Sequence, residues 1–289
     1  MVRHAIRSAM IAAALVAAAP AHAAEDAQPW TAALGLSRFF TGDDTASGDS
    51  RSLSLALSRR FGATTAGVSF GATRRDVLVS DAVERSDGEA FAVGASLSQD
   101  FDGTELALLF DYASEEADFL VTLANTPVAA VAQSDFLSAA LAVSRAYGDR
   151  TRLVPSVSGG WSRLNADFAS SGPLGLSGGV KAQGWSGSAG LFLAQDLGSR
   201  WTVSAGGAAI FAEEASALAI TRGGGRTDRA GDLFSGLQTI DQQGSLVYGE
   251  VAAGLSSTFG RVTFSTDAAH SLGLDTEYFT LSSTVSVSF

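Results

Sequence analysis

The chain has 289 residues, is 46% hydrophobic, carries a formal net charge of −11 and contains no cysteine. Disulfides and thiolate metal sites are therefore excluded, and the acidic balance argues against nucleic acid as a partner. Beyond the amino terminus, Ser, Thr, Gly and Ala interrupt the apolar positions, so no segment is long and apolar enough to predict a membrane-spanning helix.

The first 23 residues have the layout of a secretory signal peptide. Arg3 and Arg7 form a basic start, residues 10–19 form an apolar core, and Ala21-His22-Ala23 offers a small-x-small cleavage site. This segment is too short and wrongly flanked for a spanning helix. We predict cleavage near Ala23, with residues 24–289 forming a single domain.

Alternating apolar and polar residues predict twelve β-strands in this domain. The predicted strands cover residues 30–40, 51–61, 65–75, 89–101, 104–116, 135–147, 151–164, 180–197, 200–213, 245–259, 261–272 and 278–289. Short links follow the even-numbered strands, at 62–64, 102–103, 148–150, 198–199 and 260. Longer segments follow the odd ones, such as 41–50, 76–88 and 215–244. This alternation is typical of a closed antiparallel transmembrane barrel, with tight turns in the periplasm and long loops outside.

The four tryptophans fit the two interfaces of such a barrel, where amphipathic rings prefer to lie. Trp30 and Trp201 open predicted strands at the inner edge, whereas Trp161 and Trp185 fall near the outer edge. We predict that they form an interfacial girdle.

Interior positions are predicted to carry small or hydroxyl side chains, for example Ser52, Ser69 and Gly94, with Arg60 and Arg75 at two strand ends. Such side chains cannot fill a twelve-stranded lumen, so water or another segment must occupy it. Residues 221–243, with Arg222, Arg226, Arg229 and Phe234, are long enough to fold inward. A surface loop is the equal alternative.

The last strand ends the chain on an aromatic residue. Phe279, Leu281, Val285, Val287 and Phe289 share one parity, and hydroxyl residues share the other. Together with Tyr278, this strand resembles the terminal assembly signal of bacterial outer-membrane barrels. The resemblance implies an outer-membrane location and recognition by the β-barrel assembly machinery.

Three further stretches have recognisable patterns. They are Thr151-Arg152-Leu153-Val154-Pro155-Ser156-Val157-Ser158-Gly159-Gly160-Trp161, the run Gly187-Ser188-Ala189-Gly190-Leu191-Phe192 leading to Trp201, and the closing pair of strands from Gly254 to Phe289. Together they resemble the autotransporter β-domain family. The resemblance implies a twelve-stranded translocator barrel with an upstream passenger and a helix in the pore. Residues 24–30 offer neither, so we expect a passenger-less relative.

Residues that could perform chemistry are few. His270, beside Ser271 and near Asp267 and Asp275, invites a lipid-hydrolase hypothesis, but adjacent strand residues point to opposite faces and cannot pair directly. The acidic clusters Asp43-Asp44, Glu115-Glu116-Ala117-Asp118 and Glu213-Glu214 are interpreted as solvated loop charge, with Ca²⁺ or lipopolysaccharide bridging as the alternative. Gly223-Gly224-Gly225 lacks a following helix and is interpreted as a flexible loop. No catalytic residue, metal site or cofactor is predicted.

The sequence thus predicts an integral barrel of the outer membrane of a Gram-negative bacterium with a structural or transport role. Its expected partners are outer-membrane lipid, lipopolysaccharide and the assembly machinery. A small diffusion channel is the first alternative, and an outer-membrane lipid hydrolase is the second.

Overall fold

The computed structural model describes residues 30–42, 46–79, 83–123, 126–170, 177–212, 222–223, 233–234, 246–273 and 277–289. The predicted signal peptide lies outside these residues. Within them, fourteen strands are present, and none of the described residues forms a helix long and apolar enough to cross a membrane. The strands are Trp30–Gly42 (β1), Ala46–Phe61 (β2), Thr64–Val79 (β3), Val83–Phe101 (β4), Thr104–Leu123 (β5), Thr126–Arg145 (β6), Thr151–Ser170 (β7), Ser177–Leu197 (β8), Trp201–Ala212 (β9), Arg222–Gly223 (β10), Leu233–Phe234 (β11), Leu246–Phe259 (β12), Val262–Leu272 (β13) and Glu277–Ser288 (β14).

Twelve of these strands close into one antiparallel barrel, as predicted. Neighbours in sequence pair with each other, and β9 pairs with β12 across the segment that contains β10 and β11. The barrel closes between β1 and β14, where Trp30 and Phe289 exchange both backbone hydrogen bonds, with N–O distances of 2.9 and 2.8 Å. Closure pairs both terminal strands, so the barrel presents no free sheet edge.

Tight turns define one edge of the barrel, which we call the inner edge; the opposite edge is the outer edge. Asp102 and Gly103 show why the sequence turns there: both have positive φ, 53° and 78°, as a two-residue hairpin turn requires. The Gly103 N–H also donates to the Asp100 carboxylate at 2.9 Å. The other predicted inner turns likewise contain a glycine with positive φ: Gly62, Gly148, Gly198 and Gly260.

Seven strands extend at least three residues further toward the outer edge than the sequence predicted. β2 to β8 are 16 to 21 residues long. The predicted loop 76–88 and the segment between the fifth and sixth predicted strands are mostly strand, and pairing between β5 and β6 continues to Leu123 and Thr126. A tilted strand needs about 9–11 residues to cross a bilayer, so these strands are longer than a crossing requires. The apolar alternation stops in their outer parts.

The side chains alternate between two faces along each barrel strand. On β2, Ser52, Ser54, Ala56 and Ser58 are buried toward the lumen, whereas Leu53, Leu55 and Leu57 are exposed on the outside. The strands are also tilted relative to the barrel axis. Successive register partners, followed from strand to strand, lead from Trp30 at the inner end of β1 to Phe211 near the outer end of β9.

The two short strands lie far from the ends of the segment that carries them. β10 contacts β1 and β14, and β11 contacts β2, β3 and β4, although the segment leaves the barrel at β9 and returns at β12. In the order of the barrel, β4 lies opposite β12. β11 therefore lies beside strands on the opposite side of the barrel from β12. Both alternatives, a segment folded inward and a surface loop, fit these contacts.

Candidate functional site

The outward face carries a continuous apolar band. Leu34 on β1, Phe110 on β5, Leu191 on β8 and Leu255 on β12 are examples, each between 44% and 52% exposed. In water, large apolar side chains exposed over a whole barrel would be unfavourable, whereas in lipid they are the expected surface. The apolar band is therefore a candidate surface for contact with membrane lipid.

The four tryptophans lie at the ends of this band. Trp30 and Trp201 are exposed at the inner ends of β1 and β9. Trp161 and Trp185 are register partners on β7 and β8, far from the inner edge; Trp185 is exposed and Trp161 is half-buried. Their positions suit an interfacial role, which stays a prediction.

Arginines accompany the aromatic residues at the inner edge, a feature that sequence reasoning missed. The Arg59 guanidinium lies 5.1 Å from the Trp30 ring and 4.8 Å from the Phe61 ring, and that of Arg200 lies 5.5 Å from the Phe259 ring. Such contacts let the aliphatic stem lie on apolar surface while the charge stays near water. Such contacts are typical of side chains at a boundary between lipid and water.

The terminal strand divides its predicted signal residues between two faces. Phe279, Leu281, Val285, Val287 and Phe289 are exposed on the outside. Tyr278 is buried on the lumen face, where its ring centroid lies 5.6 Å from that of Phe39. The outer five residues form the lipid-facing stripe, whereas Tyr278 packs inside.

Arg60 has the lumen-side parity of Ser58 at the inner end of β2, where it is exposed and its Nε donates to the Gly62 carbonyl at 2.8 Å. One predicted charge assignment is wrong. Glu115 is not loop charge. It lies on β5 with its side chain buried in the lumen and forms an ion pair with Arg75. Glu116 and Asp118 are exposed on the opposite face of β5, and the other two acidic clusters lie outside the described residues.

The lumen wall is lined by hydroxyls and by more acidic than basic residues. Among the described residues, the lumen-facing acids are Glu105, Asp111, Glu115, Asp196, Glu250 and Asp267, and the lumen-facing bases are Arg75 and Arg152. Both arginines are paired: Arg152 holds Asp196 with two hydrogen bonds of 2.9 Å near the inner edge. The carboxylates therefore give the described wall a net negative charge.

Several lumen side chains lie over a glycine on a neighbouring strand. A Cβ atom on Gly94 would stand 2.7 Å from the Asp111 carboxylate, and one on Gly88 would stand 2.7 Å from that of Glu115. Phe192 likewise lies over a glycine, because a Cβ on Gly206 would stand 2.7 Å from the Phe192 Cα and would overlap the Phe192 ring. Phe192 is fully buried with Val154, Ala194 and Ala252 in an apolar patch of the wall.

His270 and Ser271 do not form a catalytic pair. Ser271 is buried in the lumen, and its hydroxyl accepts the Tyr278 N–H at 2.9 Å. His270 lies on the opposite face, half-buried, with Nδ1 2.9 Å from the Tyr278 carbonyl oxygen, which requires the ring to donate. Regular pairing between β13 and β14 ends at His270 and Phe279. The two side chains thus satisfy both backbone groups of Tyr278 where the ladder stops.

Asp267 faces the lumen, and Asp275 lies outside the described residues. In the part of the chain that the structure describes, no group of three or more His, Asp or Glu residues is arranged to hold a metal ion.

Neither a protein-family model nor a curated protein matches the sequence, but solved structures match the fold. The translocator domain of the autotransporter NalP from Neisseria meningitidis superposes with a TM-score of 0.72 and 16% identity, over 93% of this chain and 90% of that one. The fold is that of an autotransporter translocator barrel. The β domain of the Bordetella autotransporter BrkA gives a TM-score of 0.65 with 14% identity, covering 91% of this chain and 99% of that one. The transport unit of AIDA-I from Escherichia coli gives 0.54 with 12% identity, covering 96% and 97%.

Proposed function

We propose that this chain is an integral protein of the outer membrane of Gram-negative bacteria with a structural or transport role. The observation that supports this most directly is the closed barrel with an apolar outward band and a polar lumen wall. Only closed barrels and helices satisfy their backbone groups within lipid. The predicted signal peptide and the aromatic end of β14 agree with export and with recognition by the β-barrel assembly machinery.

Adjacent residues on β4 allow a test with a matched control. Leu97 is exposed in the outward band and Ser96 is buried on the lumen face. We expect Leu97→Asp to reduce the folded, heat-modifiable protein in the outer-membrane fraction, since a charge on the lipid face costs roughly 1–3 kcal/mol away from the interfaces. Ser96→Asp should assemble almost normally, because its side chain faces a polar lumen. Equal assembly of both variants would contradict a lipid-facing band.

A diffusion channel is the second candidate, favoured by the charges on the lumen wall. A wall that carries more carboxylates than guanidiniums favours cations over anions. An enzyme is not proposed. The one histidine after residue 23 and its neighbouring serine occupy opposite faces of β13, and both contact the backbone of Tyr278.

A further inference from the structure

Three aromatic rings pack together at the inner edge, on the outward face of β9, β12 and β13. The ring centroids of Trp201 and Phe259 lie 6.4 Å apart at 84°, and those of Phe259 and Phe264 lie 6.4 Å apart at 70°. The rings close over Ser257, which is the register partner of Trp201 and Phe264 and is only 4% exposed. Edge-to-face packing of this kind holds each ring in place. We call Trp201, Phe259 and Phe264 the inner aromatic cluster.

Arg200 and Arg261 lie on the two tight turns beside this cluster, and both side chains are exposed. The Arg200 guanidinium lies 5.5 Å from the Phe259 ring centroid, and the Arg200 carbonyl accepts the Thr258 N–H at 2.9 Å. The Arg261 carbonyl accepts the Ser288 N–H at 2.9 Å. These hydrogen bonds fix the two backbones about two strand spacings apart, roughly 10 Å, which two arginine side chains can span. The two guanidiniums can therefore reach the same ligand.

The surroundings of these two arginines leave a net positive charge. Among the described residues, no ion pair involves either arginine, and the outward positions at the inner ends of β9, β12, β13 and β14 carry no Asp or Glu. Asp196, which precedes Arg200 along the chain, faces the lumen and holds Arg152. The terminal carboxylate of Phe289 lies next along the edge, where it accepts the Trp30 N–H at 2.9 Å. One carboxylate against two guanidiniums favours an anionic ligand.

The lipid-facing surface next to the inner aromatic cluster is recessed. From the cluster toward the outer edge, Ala205, Ala253 and Ala268 are register partners with outward parity on the same three strands. Their side chains are smaller than those of Leu255 and Phe264 nearer the inner edge, so the surface is lower at the alanines. Aromatic rings at the edge of a barrel lie at headgroup level, with the apolar band beside the acyl chains. A lipid whose phosphate lies at the arginines would therefore place an acyl chain on the alanines.

We infer that Arg200, Arg261 and the inner aromatic cluster form a site for an anionic phospholipid of the periplasmic leaflet. This inference rests on the proposed outer-membrane location, with the tight turns on the periplasmic side. The guanidinium groups match the phosphate oxygens with paired N–H donors, and a guanidinium that lies over a ring still donates through its N–H groups. The rings contact the glycerol region at the boundary of the apolar band. A zwitterionic headgroup fits less well, because its ammonium group is repelled by the same two arginines.

The test measures binding of fluorescent phosphatidylglycerol to the folded full-length barrel in non-ionic detergent. We expect R200Q/R261Q to weaken binding by about tenfold, since two charge-assisted contacts with phosphate are lost. R200K/R261K should fall between this variant and the wild type, as lysine keeps the charge but loses the planar fork. R60Q is the matched control and should bind as the wild type does. Arg60 is exposed at the same edge, but it has lumen-side parity and its Nε is bound to the Gly62 carbonyl.

Equal affinity of R200Q/R261Q and wild type would overturn the inference, as would an equal loss in R60Q. Phosphatidylcholine that binds as tightly as phosphatidylglycerol, or ready displacement of the lipid by inorganic phosphate, would also contradict a site for an anionic lipid. Heat-modifiable migration checks the folding of each variant. If the double variant does not fold, R200Q and R261Q alone should each show part of the loss. A wild type that fails to insert into membranes would contradict the proposed function, whereas normal insertion without preference for phosphatidylglycerol contradicts this inference alone.

Discussion

At the scale of single residues, the lumen wall depends on glycines that make room for a larger side chain on the next strand. Gly206 is the clearest case, because Phe192 lies over it and is fully buried. Its role differs from that of the turn glycines, which are needed for positive φ. Here the glycine is needed for space, since two neighbouring strands cannot both place side chains at that point.

Gly206→Ala should therefore destabilise the barrel by about 1–3 kcal/mol, because the added methyl overlaps Phe192 and an overpacked site must shift. Gly187→Ala is the matched control on the adjacent strand, since its added Cβ would be 3.5 Å from the Ser158 carbonyl oxygen, an ordinary contact. Urea unfolding in lipid vesicles measures both. If the two variants unfold at the same urea concentration, the packing of Phe192 over Gly206 is not a source of stability.

Ser271 and His270 permit a second residue-scale prediction. Ser271→Ala leaves the buried Tyr278 N–H without its acceptor and should cost about 1–3 kcal/mol, whereas His270→Ala removes a donor from a carbonyl and should cost about 1 kcal/mol. Urea midpoints provide the comparison, and ester and phospholipid turnover should be absent in all three proteins. Hydrolysis that depends on His270 would overturn the non-enzymatic proposal.

The sequence predicted the residue pattern of the wall only in part. Parity alone places Ser52, Ser69 and Gly94 in the lumen, because a strand alternates with period two. It could not predict that the Asp111 carboxylate covers Gly94 or that Glu115 pairs with Arg75, since both contacts depend on the register between strands.

At the scale of elements, β14 closes the barrel, and we predict that it also carries the assembly signal. Phe289 exchanges two backbone hydrogen bonds with Trp30, so the last residue of the chain closes the barrel at the inner edge. Its ring is exposed on the outside at 60%. Deletion of Phe289 removes the closing hydrogen bonds, whereas Phe289→Ser keeps the backbone and removes only the ring.

Both changes should lower the heat-modifiable folded band and leave unfolded protein in the periplasm, with the deletion showing the larger effect. Phe259→Ser is the control, because Phe259 is also an exposed aromatic residue at the inner edge but belongs to an internal strand. If Phe289 belongs to a terminal assembly signal, the Phe259→Ser variant should assemble better than the Phe289→Ser variant. If the two behave alike, Phe289 acts only as an interfacial anchor.

The lengths of the elements were predictable at the inner edge and not at the outer one. Glycine and aspartate in the sequence predict the inner turns, as at Asp102-Gly103, because a positive φ restricts the choice of residue. The outer parts of β5 and β6 carry Glu116, Asp118 and Gln133 on the outward face, so the apolar alternation that marks a lipid-facing strand is lost. Backbone pairing between β5 and β6 continues in these outer parts although the apolar alternation is lost.

At the scale of the whole molecule, closure into twelve strands followed from an even count of hairpins and a lipid-facing stripe on the last strand. The positions of β10 and β11 did not follow, because their contacts with distant strands of the barrel have no local signature in the sequence. The acidic lumen was missed for a related reason: its carboxylates are spread over four strands, three on β5 and one each on β8, β12 and β13. Only the closed barrel brings them around one space.

That acidic wall leads to a prediction about transport. If ions pass through the lumen, a planar bilayer under a KCl gradient should give a reversal potential that shows preference for cations, and the preference should weaken at high salt as charges are screened. Glu250→Gln with Asp267→Asn should reduce it, because both side chains are buried on the lumen face. Glu116→Gln, which changes an exposed side chain on the outward face, should leave the cation preference unchanged.

Deletion of residues 221–243 should raise conductance if the segment that contains β11 crosses the lumen. Anion preference, or equal selectivity in the lumen and outward variants, would contradict a conducting acidic lumen and leave the structural role as the better proposal.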